Sequence, residues 1–339
     1  MQRLLLPAVL LVLAVGALLL SNRADSSPEP PSVVPELTSP ATPILSARRV
    51  PELLVGEQAK EALDADMSAI LASSPPDTCL VVVDRAGNEL STPLNARQLV
   101  TPASNLKIVT ALAALIELGP DYRFQTRVVA DGPIVDGVVQ GNLIIVGSGD
   151  PVISTGLYTS TFDPSKPQIF TSAEALADLV VETGITQVTG GVLGDDWRYD
   201  DQRVVTTWPT RYAEQGQVGP LSALLLNDGF AVFPESTDLN LGLAPPVRAE
   251  DPAAHFAASF DDLLEQRGVT VLGGSARTEG PTSITDKQEL GVIESAPLSD
   301  LVRELLAGSD NTTAELLVKE LGVHATGSGT TFDGLLAIQ

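Results

Sequence analysis

The first strong pattern along the chain is an uninterrupted apolar run from Leu4 to Leu20 in "MQRLLLPAVLLVLAVGALLLSNRADS". Its length lies between a signal-peptide core and a minimal membrane span, with Arg3 as a thin positive flank, so residues 1–23 read as an export signal or a membrane anchor. From Ala24 to Pro51 the periodicity disappears, and "ADSSPEPPSVVPELTSPATPILSARRVP" is dense in Pro and Ser, as expected of an extended spacer over 24–51. Apolar residues at helical spacing begin at Glu52 in "ELLVGEQAKEALDADMSAILASS". The run "TCLVVVD", the turn "RAGN" and a short return run then predict a hairpin.

A second helix follows in "LVTPASNLKIVTALAALIELGP", with Gly119 and Pro120 as its stop signal. From Arg127 onward the texture changes to short β-like runs separated by glycine, such as "NLIIVGSGDP", "ITQVTGGVLGDD" and "VTVLGGSARTEG". Helical patterns interrupt them at "SAEALADLVVETG" and "HFAASFDDLLEQRG", and helical texture returns from Pro297 to Gly322.

Composition narrows the possibilities. A chain of 339 residues that is 44% hydrophobic can build a sizeable core. A net charge of −23 weighs against a nucleic-acid partner, because phosphate binding needs Lys and Arg. The single cysteine, Cys79, allows no intrachain disulfide and no cysteine zinc cluster, and reads as a small buried residue of a strand. The pairs Asp195–Asp196 and Asp261–Asp262 read as solvated faces or caps. Asp150, in "GSGDP", reads as a turn residue.

The candidate chemistry begins at Ser104 and Lys107. Residues three apart on a helix share a face, so this serine and this amine meet if the helix starts at or just before Ser104. Ser104 is also a good N-cap type, but a capping box would place Glu or Gln where Lys107 stands. A cation there opposes the helix dipole, and the same dipole and an apolar surround favour a neutral amine that can take a proton from a serine hydroxyl. A second cluster, Ser309-Asp310-Asn311, precedes another helix start, with Glu315 placed for its first turn. These residues suit capping, and they equally suit relaying a proton and holding a substrate amide. A Ser-His-Asp triad would need His255 or His324, and neither lies near a serine motif in sequence.

An SxxK at a helix start with a later SxN resembles penicillin-binding proteins and serine β-lactamases. The stretches "TPASNLKIVTALAALIELGPDYRFQTRV", "GNLIIVGSGDP", "GVLGDD", "GPLSALLLNDG" and "PLSDLVRELLAGSDNTTAELLVKELG" resemble one branch in order. That branch is the DacB-type D-alanyl-D-alanine carboxypeptidases and endopeptidases, the class C penicillin-binding proteins. The resemblance implies an α/β (α+β) transpeptidase-like domain, residues 52–127 plus 286–339, with a large, mainly β insertion over 128–285. It implies Ser104 as the acylated nucleophile, Lys107 as its base, and Ser309 and Asn311 as the SxN pair. The implied substrates are the D-Ala-D-Ala ends or cross-links of peptidoglycan peptides, with penicillins and other β-lactams as covalent inhibitors, an extracytoplasmic location in the cell envelope, and no metal or organic cofactor.

One departure from the family pattern stands out. The family's KTG belongs after the SxN loop, yet no lysine follows Lys319 and "HATGSGTTFDGLLAIQ" contains no KTG. The sequence therefore reads as a fragment or premature stop of a longer product. Two alternatives remain: an envelope binding protein of the same fold with impaired chemistry, and a serine β-lactamase, which the long insertion disfavours.

Overall fold

The computed structural model describes residues 51–165, 168–235 and 244–339. The expected leader and all but the last residue of the expected spacer lie outside the described residues. Among the described residues no helix is long and apolar enough to cross a membrane. The chain forms two compact units divided between Val100 and Thr101.

In the first unit, helix α1 (Pro51–Ala72) carries Asp64, whose carboxylate accepts hydrogen bonds from the amide and hydroxyl of Thr92 at 2.8 and 2.6 Å. The expected hairpin is present as two isolated antiparallel bridges, Leu80–Leu94 and Val83–Glu89, and not as continuous strands. Asp84 closes its turn by accepting from the amides of Ala86 and Asn88. Cys79 is exposed, which corrects the expectation of a buried strand residue. A two-stranded ribbon buries little by itself, so alternation alone does not shield a side chain.

The second unit contains a five-stranded sheet built from β1 (Gln125–Ala130), β2 (Leu143–Val146), β3 (Val192–Asp195), β4 (Ala276–Arg277) and β5 (Gln288–Glu294), in the order β4-β3-β2-β1-β5. β1 pairs antiparallel with both neighbours, Arg127 facing Val292 of β5 and Val146 of β2. The chain thus enters and leaves the β-rich tract on adjacent strands. Helix α3 (Ala173–Glu182) is capped by the Ser172 hydroxyl, and α4 (Pro252–Glu265) by Asp251 with proline at its first position. Leu176 and Val180 of α3 and Phe256 and Phe260 of α4 share one core with Val128, Ala130, Leu143 and Ile145 of the sheet. Both helices therefore cover the same sheet face. A smaller four-stranded sheet, running from Thr270–Val271 through Gln187–Val188 and Val138–Val139 to Ile134–Val135, extends this tract.

Four longer helices pack together beside the sheets: α2 (Leu106–Glu117), α5 (Leu298–Gly308), α6 (Asn311–Thr326) and α7 (Thr331–Ile338). The pattern analysis did not anticipate α7. It packs on α6 so closely that a Cβ on Gly334 would lie 1.8 Å from the Val318 carbonyl oxygen. α6 is enclosed by its neighbours on most sides, and its buried charged residues are paired, Lys319 with Asp200 and Glu320 with Arg198. Ala314, Leu317 and Leu321 face α2 and α5, while Leu316 joins a second cluster with Tyr199, Val218 and Leu221.

The reading of Asp195–Asp196 as a solvated pair or caps is corrected by this tract. Both are buried. Asp196 is gripped by Arg203 and Arg277 at 2.6 Å each and accepts from the Ser222 hydroxyl at 2.7 Å. Burying a carboxylate is favourable only with such partners, and one of them, Arg277, is distant in sequence.

Candidate active site

The start of α2 is strained and uncapped. Ala103 has φ +48°, a left-handed conformation unusual for a residue with a Cβ, and a 3-10 turn over Ala103–Asn105 leads into the helix with no side-chain cap. Backbone strain of this kind persists only where its surroundings hold it, and it gathers at functional sites. Ser104 is therefore not the N-cap that its residue type suggests. Its oxygen instead accepts a hydrogen bond from the Ser309 hydroxyl at 2.7 Å, across 205 residues of sequence.

Lys107 lies on the buried face of α2 together with Ala111 and Ala114. The two alanines let Ala314 and Leu317 of α6 and Leu301 and Leu305 of α5 pack close to α2. Lys107 continues that stripe to the start of α6 and is only 8% exposed. Ser309 ends α5 in the left-handed conformation, with φ 55° and ψ 39°. Asp310 then caps α6, its carboxylate accepting from the amides of Thr312 at 2.9 Å and Thr313 at 3.3 Å. The triplet thus divides its roles: the middle residue caps, and the flanking Ser309 and Asn311 reach Lys107.

The Lys107 amine lies 2.5 Å from Asn311 Oδ1, 2.8 Å from the Ser309 carbonyl oxygen, 3.1 Å from Ser309 Oγ and 3.3 Å from Ser104 Oγ. The amide and carbonyl oxygens only accept, so they hold two of its N–H groups. The third position faces the two hydroxyls. In the ammonium it is a donor; in the neutral amine it is a lone pair that can accept the Ser104 proton. Burial pulls the Lys107 pKa below that of an ordinary lysine, and the nearby Asp310 and Glu315 carboxylates offset part of that shift.

Asn311 is fixed at both ends of its amide. Lys107 donates to Oδ1, and Nδ2 donates to the Gln217 carbonyl at 2.8 Å, so neither contact tolerates a flipped amide. Nearby, the Gly219 amide donates to Thr312 Oγ1 at 3.1 Å. A Cβ on Gly219 would lie 1.8 Å from the Asp228 carbonyl oxygen, which makes glycine the residue that lets this segment clasp the start of α6.

Ser104, Lys107 and Asn311 line an open cavity of about 390 Å³, walled elsewhere by Thr110 of α2, Glu315 of α6, and Trp208 and Tyr212. The structure brings all four residues singled out by sequence into one hydrogen-bonded group. Sequence reasoning missed Gln217, Trp208 and Tyr212, which lie in a stretch without periodicity. Glu315, read from the sequence as a first-turn residue of its helix, instead stands one turn beyond Asn311 and lines the cavity. Neither His255 nor His324 lines the cavity. Asp150 is the turn residue expected of it, accepting from the Val152 amide at 3.0 Å, and burial pushes its carboxyl up to about 6. Among the described residues no cluster of His, Cys, Asp and Glu is placed to hold a metal ion.

Known proteins resemble this arrangement over most of the chain. The D-alanyl-D-alanine carboxypeptidase of Actinomadura sp. (strain R39) is 28% identical, over 89% of this chain and 63% of the relative. The carboxypeptidase DacB of Mycolicibacterium smegmatis is 28% identical, over 97% of this chain and 65% of its own length. This chain thus spans under two thirds of the length of these relatives. Among solved structures, penicillin binding protein 4 (dacB) from Haemophilus influenzae superimposes with a TM-score of 0.62 at 19% identity, over 80% of this chain and 69% of that one. That likeness establishes the penicillin-binding-protein fold expected from the SxxK and SxN motifs. The model of the D-Ala-D-Ala carboxypeptidase 3 (S13) family matches residues 63–247 and 241–339, and the chain belongs to that family.

Proposed function

We propose that this protein is a serine-type D-Ala-D-Ala carboxypeptidase or endopeptidase of the cell envelope, hydrolysing peptidoglycan stem peptides or cross-links through an acyl-enzyme on Ser104. The observation that carries this reading is the single amine of Lys107 placed among Ser104, Ser309 and Asn311. Ser104 Oγ attacks the carbonyl carbon of the scissile amide while its proton passes to the neutral Lys107 amine. The charge that develops on the carbonyl oxygen requires N–H donors beside Ser104; the Asn105 and Leu106 amides are already engaged, donating to the Pro102 and Ala103 carbonyls. As the C–N bond breaks, the leaving amine takes a proton from Lys107. Ser309 Oγ, which touches both Lys107 and Ser104, is the group that can relay it. Water then releases the acyl group by the reverse proton path. The relatives' names as carboxypeptidases support the same chemistry.

A fluorescent penicillin is expected to label the protein covalently, and Ser104→Ala to abolish the label. Labelling that survives this change removes Ser104 as nucleophile. Among the described residues the lining of the cavity contains one cation, Lys107. The second reading is a peptidoglycan-binding protein of the same fold with impaired chemistry. Peptidoglycan retention without any penicillin adduct would select it, and release of D-alanine would exclude it.

A further inference from the structure

The proton step of the proposed mechanism creates an ammonium at Lys107, and the four oxygens around that amine are all neutral. The nearby carboxylates are Asp310 and Glu315. Asp310 is committed to capping α6, where its two oxygens accept from the Thr312 and Thr313 amides and the Thr313 hydroxyl. It is also faced by the half-buried Asp228 and by Glu304. Glu315 differs in every respect. It lies one turn beyond Asn311, lines the same cavity as Ser104 and Lys107, and has no hydrogen bond or ion pair among the described residues.

The other cation near Glu315, Lys319, is fully buried and already paired with Asp200. Arg211 stacks over the ring of Tyr212 and does not itself line the cavity. Among the described residues that line the cavity, the one uncommitted carboxylate therefore shares it with the one cation. Burial of Glu315 raises its pKa, and the two lysines draw it back toward the charged form.

We propose that Glu315 is the counter-charge for the ammonium that Lys107 becomes on accepting the Ser104 proton, and so a positioning residue for the base of the site. The inference rests on Ser104 and Lys107 acting as nucleophile and base. Before acylation, Glu315 favours the charged lysine and holds back the fraction of neutral amine at low pH. During acylation, it stabilises the cation as it forms, so its loss both weakens the base and releases it at lower pH.

The test uses the full chain as wild type, E315Q and E315D. Two quantities are read across pH: the rate of acylation by fluorescent penicillin, and the reactivity of Lys107 toward trace acetic anhydride, followed by mass spectrometry. E315Q is expected to move both the acid limb of acylation and the Lys107 reactivity midpoint to lower pH. Its plateau acylation rate should fall by roughly threefold to tenfold, and E315D should restore most of both. A packing role would leave the Lys107 midpoint in place. An unchanged midpoint in E315Q overturns the counter-charge role, and if the penicillin adduct then accumulates, Glu315 belongs to the deacylating water instead. Absence of any adduct on the wild type overturns the proposed function, while the Lys107 midpoint still decides whether the two charges are coupled.

Discussion

The β-rich tract from Gln125 to Glu294 and the helical group of α2, α5, α6 and α7 bury their apolar residues in different ways. In the tract, α3 and α4 close one face of the sheet with large side chains, Phe256 and Phe260 among them, that are wholly buried. In the helical group small residues take part at the α2 contact, with Ala111 and Ala114 in one cluster with Ala314. The outer face of α2 leaves Leu106, Ile108, Val109, Leu112 and Ile116 more than half or about half exposed. The tract draws stability from volume, whereas the helical group uses small residues to bring two backbones close enough for one lysine to reach a loop 202 residues away. Stability and chemistry are therefore expected to respond to different substitutions.

The largest effect should come from Phe256→Ala, which empties the tract's core and should cost about 3–5 kcal/mol in urea unfolding. The penicillin acylation rate of the molecules that remain folded should be unchanged; a matching loss of rate would erase the distinction between the two regions. Ala114→Leu should cost less, about 1–3 kcal/mol, by overpacking the α2–α6 contact. Because it separates Lys107 from Asn311, it should nevertheless slow acylation more than Phe256→Ala does.

The support behind the SxN turn carries a pH signature. Asp228 is half-buried beside Asp310 and Glu304 and takes a hydrogen bond from the Tyr158 hydroxyl at 2.6 Å; desolvation, with repulsion from Asp310, pushes its carboxyl up to about 7. Between its ordinary value of 3.8 and about 7 the folded state holds a proton that the unfolded state has lost, so this group makes stability fall as pH rises through that window. Asp228→Asn should flatten the decline, read as the urea midpoint against pH, and an unaltered slope would remove Asp228 as its source. The smallest effect is expected on the outer face of α2, where Leu112→Ser should change stability by no more than about 0.5 kcal/mol. A larger loss would show that this face is covered in solution.

The sequence made much of the site legible because its key spacings are local. Ser104 and Lys107 are one helical turn apart, and Ser309 and Asn311 flank a residue that caps, so their juxtapositions follow from helix geometry alone. Less was legible where partners are remote. Asp195 and Asp196 look like surface residues until Arg203 and Arg277 arrive from other segments. Cys79 looks like a strand's buried side chain until the ribbon proves to be two bridges. Trp208, Tyr212 and Gln217 reach the cavity from a segment whose sequence has no period to read.

What the sequence alone determined, then, is every long helix but α7, the glycine-punctuated β tract, and the two short motifs, since each rests on interactions within about one turn of the chain. The tertiary structure decided whether those motifs share a site. That depended on the alanine stripe of α2 meeting α6 and on the left-handed turn at Ser309, which together bring Lys107 within hydrogen-bonding distance of both serines. It also decided the protonation chemistry, because the charge on Lys107 is set by burial and by Glu315 and Asp310, groups that only the folded chain brings near it.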